Sequence, residues 1–194
     1  MAEFGYHTIG ATDDNPGNNV IWCKATSTPA TNGTLTLISV YCRIRFGTPT
    51  INAALYTESA SQPNTKLAEG TAQTVAAGAA WVDVPVSVAV SSGVQYWFAV
   101  VVPGGGGSTD VWTQFDTNGS LTENYYLASG PPGDGVFPST ASFTGNFANE
   151  RWSVYGTFTG VSVDTGMRSK RPSRPAAFKP MGDALRPGKY KGWR

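Results

Sequence analysis

The sequence predicts an all-β fold, an antiparallel sandwich or barrel of about eight or nine short strands. Three observations favour it. Valine outnumbers leucine 17 to 7, and β-branched residues prefer strands. The chain has 23 Gly and 13 Pro, which are typical of turns. Apolar residues alternate with polar ones over short segments between those turns. A helical bundle and a doubly wound α/β enzyme are excluded.

The clearest predicted strand runs from Leu35 to Phe46. A period of two assigns one set of side chains to the core face: Ile38, Val40, Cys42, Ile44 and Phe46. The same period assigns the other set to the outer face: Ser39, Tyr41, Arg43 and Arg45. A helix would scatter these apolar residues around its circumference.

Three further segments follow this strand. A short strand at Ala53–Thr57 is closed by a polar turn over 59–65, and a strand of weaker pattern covers Leu67–Val75. Alternation then resumes from Trp81 to Val90. Pro85 cannot donate a ladder hydrogen bond, so we expect an edge position or a bulge there.

The second half of the body continues the pattern. After a turn at 91–93, Val94–Val102 is apolar on both faces, which is typical of a central strand covered on both sides. A tetraglycine loop at 104–107 precedes a strand at Val111–Phe115. The stretch 118–149 is rich in turns and aromatic residues, and Arg151–Thr159 is the last predicted strand, with Trp152, Val154 and Gly156 on one face.

Part of this pattern resembles a jelly-roll module common in tailed-phage virion proteins and secreted surface proteins. The matching positions are Ala54, Leu55, Tyr56, Pro63, Trp81, Val82, Val84, Gly93, Tyr96 and Trp97. The resemblance covers 35–103 strongly and the rest of 1–160 loosely. It implies a jelly-roll-like β-sandwich that serves as a structural, decorating or glycan-binding module.

Charge divides the chain into a body, residues 1–163, and a C-terminal arm, residues 164–194. The body has five basic and eleven acidic side chains, a net charge of −6, whereas the arm has nine basic and two acidic ones, a net charge of +7. Prolines at 172, 175, 180 and 187 forbid a continuous helix and favour extended geometry in the arm. Such a division predicts an acidic partner for the arm.

Apolar side chains recur between the charges of the arm, so we expect it to be anchored on a protein surface. The predicted partner-binding residues are Met167, Arg168, Lys170, Arg171, Arg174, Phe178, Lys179, Met181, Leu185, Arg186, Lys189, Tyr190, Lys191, Trp193 and Arg194. Capsid or other virion proteins and further copies of the chain are the favoured partners. Nucleic acid is the competing partner, because basic residues interleaved with aromatic ones also suit phosphate contact and base stacking.

No residue pattern points to catalysis, a metal or a cofactor. His7 is the single histidine, and neither a nucleophile nor a carboxylate accompanies it in a motif. Carboxylates that a glycosidase would need (Asp83, Asp110, Asp116, Glu150) lie in no recognisable motif. The loop 13–18 lacks the spacing of a calcium loop, and 104–107 lacks the Lys-Ser/Thr of a phosphate loop. We therefore predict a non-enzymatic protein without cofactor or metal.

The two cysteines do not have the spacing of a zinc site. Cys23 and Cys42 face each other across neighbouring strands in one interpretation, and are two buried free thiols in a reducing compartment in the other. No apolar run reaches the 18 residues of a membrane span, and the N-terminus does not resemble a signal peptide.

The predicted function is that of a virion structural protein, made in the host cytoplasm. It would be a capsid decoration or head-surface protein, anchored by its arm to the shell or to neighbouring subunits. The alternative is a glycan-binding module of a host-attachment fibre. Its candidate sugar-stacking rings are Trp112, Tyr125, Tyr126 and Trp152.

Overall fold

The computed structural model describes residues 1–14, 28–103, 111–117, 137–141 and 150–160, and the backbone alone of 21–25, 124–127 and 145–147. Every regular element in these ranges is a β-strand. None of them is therefore a helix long and apolar enough to cross a membrane. One compact unit covers Met1–Val161.

The fourteen described strands form two antiparallel sheets, which confirms the predicted β-sandwich, with more strands than the eight or nine expected. The first sheet contains β1 (Ala2–Gly5), β2 (Thr12–Asp14), β4 (Gly33–Ile44), β8 (Ala79–Val90), β10 (Val111–Thr117), β13 (Glu150–Trp152) and β14 (Val154–Gly160). The second contains β3 (Ile21–Ala25), β5 (Thr50–Ser59), β6 (Gln62–Glu69), β7 (Gln73–Thr74), β9 (Tyr96–Val101), β11 (Asn124–Leu127) and β12 (Gly145–Phe147).

The core lies between the sheets and is built by the alternation of their strands. From the first sheet, β4 contributes Leu35, Ile38, Val40 and Cys42, all at most 1% exposed. From the second sheet, Phe98 and Val100 of β9 pack into the same cluster. All six residues of β9 are buried, because this strand pairs with β3 and β5 and is covered on both faces. The central strand predicted over Val94–Val102 is confirmed for Tyr96–Val101, whereas Val94 precedes the strand and is 44% exposed.

Strand β4 organises the first sheet. It pairs with β8 along one edge, and its other edge is shared by β14 and, beyond Val40, by β10. Ser153 lies between β13, which pairs with β10, and β14, which pairs with β4. The strand partner therefore changes at this residue. Its N–H donates to the carbonyl of Gln114 (2.9 Å), and its carbonyl accepts from the N–H of Tyr41 (3.0 Å).

The N-terminal segment lines the edge of this sheet. β1 pairs with β14, with Ala2 opposite Phe158, and β2 pairs with β10. Between them, the N–H of Gly10 donates to Ser153 Oγ (2.8 Å). A Cβ on Gly10 would lie 2.3 Å from the carbonyl carbon of Phe115, so only glycine allows this close approach.

Several strand predictions are confirmed in detail. Trp152, Val154 and Gly156 all face inward, as their alternation indicates. Pro85 lies at a register shift between β4 and β8, so the expected irregularity is present. Phe46 is a correction, since it was expected in the core and is 52% exposed. The reason is that β4 ends at Ile44, before alternation can bring Phe46 inward.

The turn predicted over 59–65 is wrong in extent. β5 and β6 form a hairpin whose loop is only Ala60 and Ser61, with φ of 53° and 62°. Positive φ at both loop residues gives the backbone twist that suits a two-residue hairpin. The sequence lacks the Asn-Gly or Asp-Gly signal of such a loop, and Pro63 pairs within β6.

The strand predicted over 67–75 is two strands. β6 ends at Glu69 and β7 begins at Gln73. Between them, a Cβ on Gly70 would lie 2.3 Å from Cγ1 of Val84, so the chain passes close over β8 at this point. The interruption therefore comes from tertiary packing rather than from a local turn signal.

The two cysteines are not on neighbouring strands. Cys42 belongs to β4 in the first sheet, and Cys23 belongs to β3 in the second, so that interpretation is wrong. Cys42 is a free thiol in the core, and its burial raises the pKa to about 12. It is protonated and unreactive at neutral pH.

Candidate binding surface

The outer face of the first sheet carries aromatic and charged side chains that are exposed or partly exposed. The same alternation that buries Val40 and Cys42 turns Tyr41 and Arg43 outward. Across the strands, Tyr41 lies opposite Trp81 of β8, and Arg43 lies opposite Trp112 of β10. Cross-strand neighbours on one face are within contact distance of long side chains. The sheet therefore assembles residues that are far apart in sequence.

Four rings on this face form what we call the aromatic cluster: His7, Tyr41, Trp81 and Tyr155. Trp81 is central, with centroid distances of 5.3 Å to Tyr41, 4.9 Å to Tyr155 and 5.4 Å to His7. These three rings are inclined to Trp81 by 71–74°. His7 and Tyr155 lie 4.1 Å apart and are inclined to each other by only 37°. One ring thus meets Tyr41 and the His7–Tyr155 pair nearly at right angles.

Two carboxylates border the aromatic cluster. Glu3 Oε2 lies 2.8 Å from His7 Nδ1, and these side chains are 43% and 53% exposed. Asp83, on the same face of β8 as Trp81, accepts a 2.6 Å hydrogen bond from Ser39 Oγ. Ser39 is buried and lies opposite both Asp83 and Tyr155, so this bond fixes the carboxylate beside the rings. The border of the cluster is negative.

A second group, which we call the arginine–tryptophan group, consists of Arg43, Arg45, Phe46 and Trp112. The guanidinium carbons of Arg43 and Arg45 lie 5.7 and 5.1 Å from the centre of the Trp112 ring. Arg45 also lies 4.8 Å from the centre of Phe46. These distances are those of cation–π contacts.

The two arginines of this group differ in their ionic partners. Arg43 is paired with Asp13, whose other oxygen accepts from Gln114 Nε2 at 3.1 Å. For Arg45, no carboxylate of the described residues lies within ion-pair distance. Within the described part of the chain, the guanidinium of Arg45 is therefore the cation of this group that has no carboxylate partner and can bind an anionic ligand.

A third group attaches the N-terminal segment to the sheet. Tyr6 Oη donates to Asp116 Oδ2 (2.5 Å), the N–H of Ala11 donates to Oδ1 (2.9 Å), and Arg151 lies 4.0 Å from the centre of the Tyr6 ring. The Tyr6 and Ala11 bonds hold the pKa of Asp116 below its usual range. The same Tyr6–Asp116 bond raises the pKa of the phenol. The role of this group is structural.

Part of the outer face of the second sheet is covered by residues 137–141 of the chain. Phe137, 1% exposed, packs with Tyr56 and Trp97 on this face. Tyr56 Oη donates to the carbonyl of Pro138 (2.7 Å), and Lys66 Nζ donates to that of Phe137 (2.6 Å). The chain itself therefore covers these rings.

The predicted sugar-stacking residues fall in different places. Trp112 lies half-buried on the outer face of the first sheet. Trp152 is a correction: it is 2% exposed, because it shares the inward face of Val154, and so it offers no ring face to a sugar. Tyr125 and Tyr126 lie in β11, and their side chains are outside the described residues, as are all the predicted arm residues from Met167 to Arg194.

The aromatic cluster was missed at the sequence level. The alternation of residues 35–46 assigns Tyr41 to the outer face, but nothing in the sequence brings His7, Trp81 and Tyr155 to it. A large aromatic residue at an outward strand position was the available signal, and it appears in both Tyr41 and Trp81. The register that joins them depends on the bulge near Pro85.

Each candidate carboxylate with a described side chain has a structural partner. Asp83 is bonded to Ser39, Asp116 to Tyr6, and Glu150 to Trp152 Nε1 (3.1 Å). No three of the described His, Cys, Asp and Glu side chains are grouped to hold a metal ion. Asp110 and the loop residues 15–18 lie outside the described ranges.

Two groups on one sheet face thus remain as candidates for binding. The aromatic cluster has a negative border and suits a cation, whereas the arginine–tryptophan group suits an anion or a sugar ring. The aromatic cluster lies around Tyr41 of β4, and the arginine–tryptophan group lies around Arg43, two residues further along the same strand. The chain matches no protein-family model, and a search of curated proteins finds no match to it.

Proposed function

We propose that this is a non-enzymatic structural protein of a virion, a capsid decoration or head-surface protein, anchored through its C-terminal arm to the shell or to neighbouring copies. The observation that carries the proposal is the division of charge between a sandwich body of −6 and an arm of +7. A folded body followed in sequence by a basic, proline-rich segment is an arrangement suited to display and attachment rather than to turnover.

The composition of the arm supports a protein partner. Six apolar side chains are spaced among its nine basic ones. Burying each would contribute about 1.5–3 kcal/mol, enough to anchor an extended segment at several points. Opposite net charges on arm and body also favour association between copies.

Deletion of residues 164–194 tests the proposal. We expect the truncated chain to keep the cooperative unfolding of the body, because the core residues that the structure describes precede this point. We also expect it to be lost from purified particles. A matched variant, Phe178→Ser with Tyr190→Ser and Trp193→Ser, keeps every charge and should also reduce incorporation strongly. Wild-type incorporation of the truncated chain would contradict the proposal.

A second candidate function, glycan binding in a host-attachment fibre, is favoured by the surroundings of Trp112. This ring lies on the outer sheet face beside two guanidinium groups. An aromatic face that stacks on a sugar, next to donors that bind its hydroxyl or carboxylate oxygens, is a suitable arrangement for sugar recognition.

The glycan function is tested with the full chain on a glycan array. We expect binding that Trp112→Leu weakens at least about tenfold, the loss of roughly 1.4 kcal/mol. Trp81→Leu, on the same sheet but in the aromatic cluster, is the matched control and should bind normally. An array without any bound glycan would count against this candidate.

A further inference from the structure

We infer that the aromatic cluster is a receptor for cationic side chains, and that the arm of a neighbouring copy supplies them. The inference rests on the proposed function and names the surface on the body to which the arm binds. The occupant is the segment 164–194, in which nine side chains are basic.

The geometry of the rings fits a cation. The Trp81 ring contacts the rings of Tyr41 and Tyr155, and its plane is inclined to each of theirs by more than 70°. These rings pack edge to face with one another, and ammonium and guanidinium groups bind against the parts of such ring faces that stay exposed. All three rings are only partly buried, so part of each is accessible to a ligand.

The border of the cluster supplies the charge that a cation needs. Glu3 lies on one side, bonded to His7, and Asp83 lies on another, held by Ser39. A carboxylate fixed by a buried hydroxyl does not have to be ordered when a ligand binds, which reduces the entropic cost of association. Aromatic faces bordered by carboxylates favour a lysine or arginine side chain over an anion or a neutral sugar.

The length and direction of the chain favour an arm from another copy. Gly160, the last residue of β14, lies opposite Gly33, and β14 runs away from Tyr155 towards that end. In polyproline geometry, at about 3.1 Å per residue, the sequence beyond Gly160 is long enough to span about 100 Å, against about 15 Å for the radius of gyration of a body of this size. Four prolines between 172 and 187 favour this extended course over a return to the same body.

Zero-length cross-linking of the full chain tests the inference. A carbodiimide joins a carboxylate to a lysine amine as an amide, with loss of water, only where the two are in contact. A mixture of ¹⁴N- and ¹⁵N-labelled copies distinguishes links between copies from links within one. We expect Glu3 or Asp83 to be joined to Lys170, Lys179, Lys189 or Lys191 of the other isotope.

Two leucine variants make the result specific. Trp81→Leu keeps an apolar side chain but removes the ring, and should lower the yield of these links at least about tenfold. Tyr155→Leu should do the same if Trp81→Leu does not fold. Trp112→Leu, in the arginine–tryptophan group, is the matched control and should leave the yield unchanged.

The outcomes separate this inference from the proposed function. Links confined to one isotope, or a yield that is independent of Trp81 and Tyr155, would overturn the inference. Loss of particle incorporation on deletion of the arm, together with normal incorporation of Trp81→Leu, would leave the proposed function standing and refute this docking site. If the arm is cross-linked to the cluster of another copy, but the protein enters particles without its arm, the docking site stands and the proposed function is refuted.

Discussion

Gly156 is a position at which the described core has no room for a side chain. It lies on the inward face of β14, between Leu35 of its own sheet and Phe98 of the other. A Cβ there would lie 2.6 Å from Leu35 Cδ1 and 2.8 Å from Phe98 Cζ. Both side chains are fully buried, so neither can move aside without disturbing the core.

We therefore expect Gly156→Ala to lower the free energy of unfolding by about 1–3 kcal/mol through overpacking. Urea titration followed by tryptophan fluorescence measures it. Thr159→Ala, at an exposed position of the same strand, is the control and should change stability little.

A second variant identifies the cause of that loss. Adding Phe98→Leu to Gly156→Ala makes room for the new methyl group, so the two effects should be less than additive. A Gly156→Ala protein as stable as the wild type would show that the sheets can separate without cost.

The inward position of Gly156 could be predicted from its alternation with Trp152 and Val154. The need for glycine there could not, because it depends on Phe98, which is distant in sequence and belongs to the other sheet. The same limit applies to Trp152: its period assigns it to the core, yet an aromatic residue in isolation is equally typical of a sugar site.

At the scale of elements, the N-terminal segment is held by side chains as much as by strand pairing. Asp116 accepts from Tyr6 and Ala11, and Ser153 accepts from Gly10. These bonds bridge the interval between β1 and β2, where the ladder is interrupted. A backbone donor without such a partner would be left unsatisfied against the sheet.

This attachment should depend on pH at both ends of the scale. The folded pKa of Asp116 is lowered, so its contribution is complete above the unfolded value of about 3.9 and is lost as pH falls through the folded pKa. The folded pKa of Tyr6 is raised, so its contribution is complete below the unfolded value of about 10 and is lost as pH rises through the folded pKa.

Asp116→Asn tests the predicted loss of stability at low pH. The stability difference between wild type and variant should be present at pH 7 and should shrink as pH falls below about 4. Thermal unfolding at a series of pH values measures it, and Tyr6→Phe, which removes the same hydrogen bond, should behave similarly. A difference that is independent of pH would mean that Asp116 acts only through its shape.

Element boundaries were predictable where one face is buried and the turn has a local signal. β4 follows its alternation closely, whereas the hairpin loop at Ala60 and Ser61 has no Gly or Asn to mark it. No sequence signal marks the change of pairing partner within 150–160 either, from β10 to β4. This change is fixed by the backbone hydrogen bonds of Ser153 to both strands.

At the scale of the whole molecule, the opposite charges of body and arm predict salt-sensitive association. The Debye length is about 10 Å at 0.1 M salt and about 3 Å at 1 M. We expect self-association of the full chain to weaken at least about tenfold between 0.05 and 0.5 M NaCl, measured by sedimentation velocity. Association that is insensitive to salt would indicate that apolar contacts alone join the copies.

The all-β class and the sandwich were predictable from composition and alternation, since both follow from local preferences. Which sheet each strand joins was not, because it depends on pairings between distant segments. Cys23 and Cys42 illustrate the difference: both lie in strands, yet the strands belong to opposite sheets. Docking of the arm also lies beyond local patterns, since it is a relation between surfaces.

The antiparallel pairing of Ala2 with Phe158 brings the first and last of the described strands side by side. Paired residues on adjacent strands are about 5 Å apart, so a linker of a few residues could join the two ends directly. Opening the ring thus formed at the exposed Ala60–Ser61 loop would give a circular permutant that retains every described strand pair. A cargo fused ahead of Met1 would, for the same reason, lie beside the end of β14.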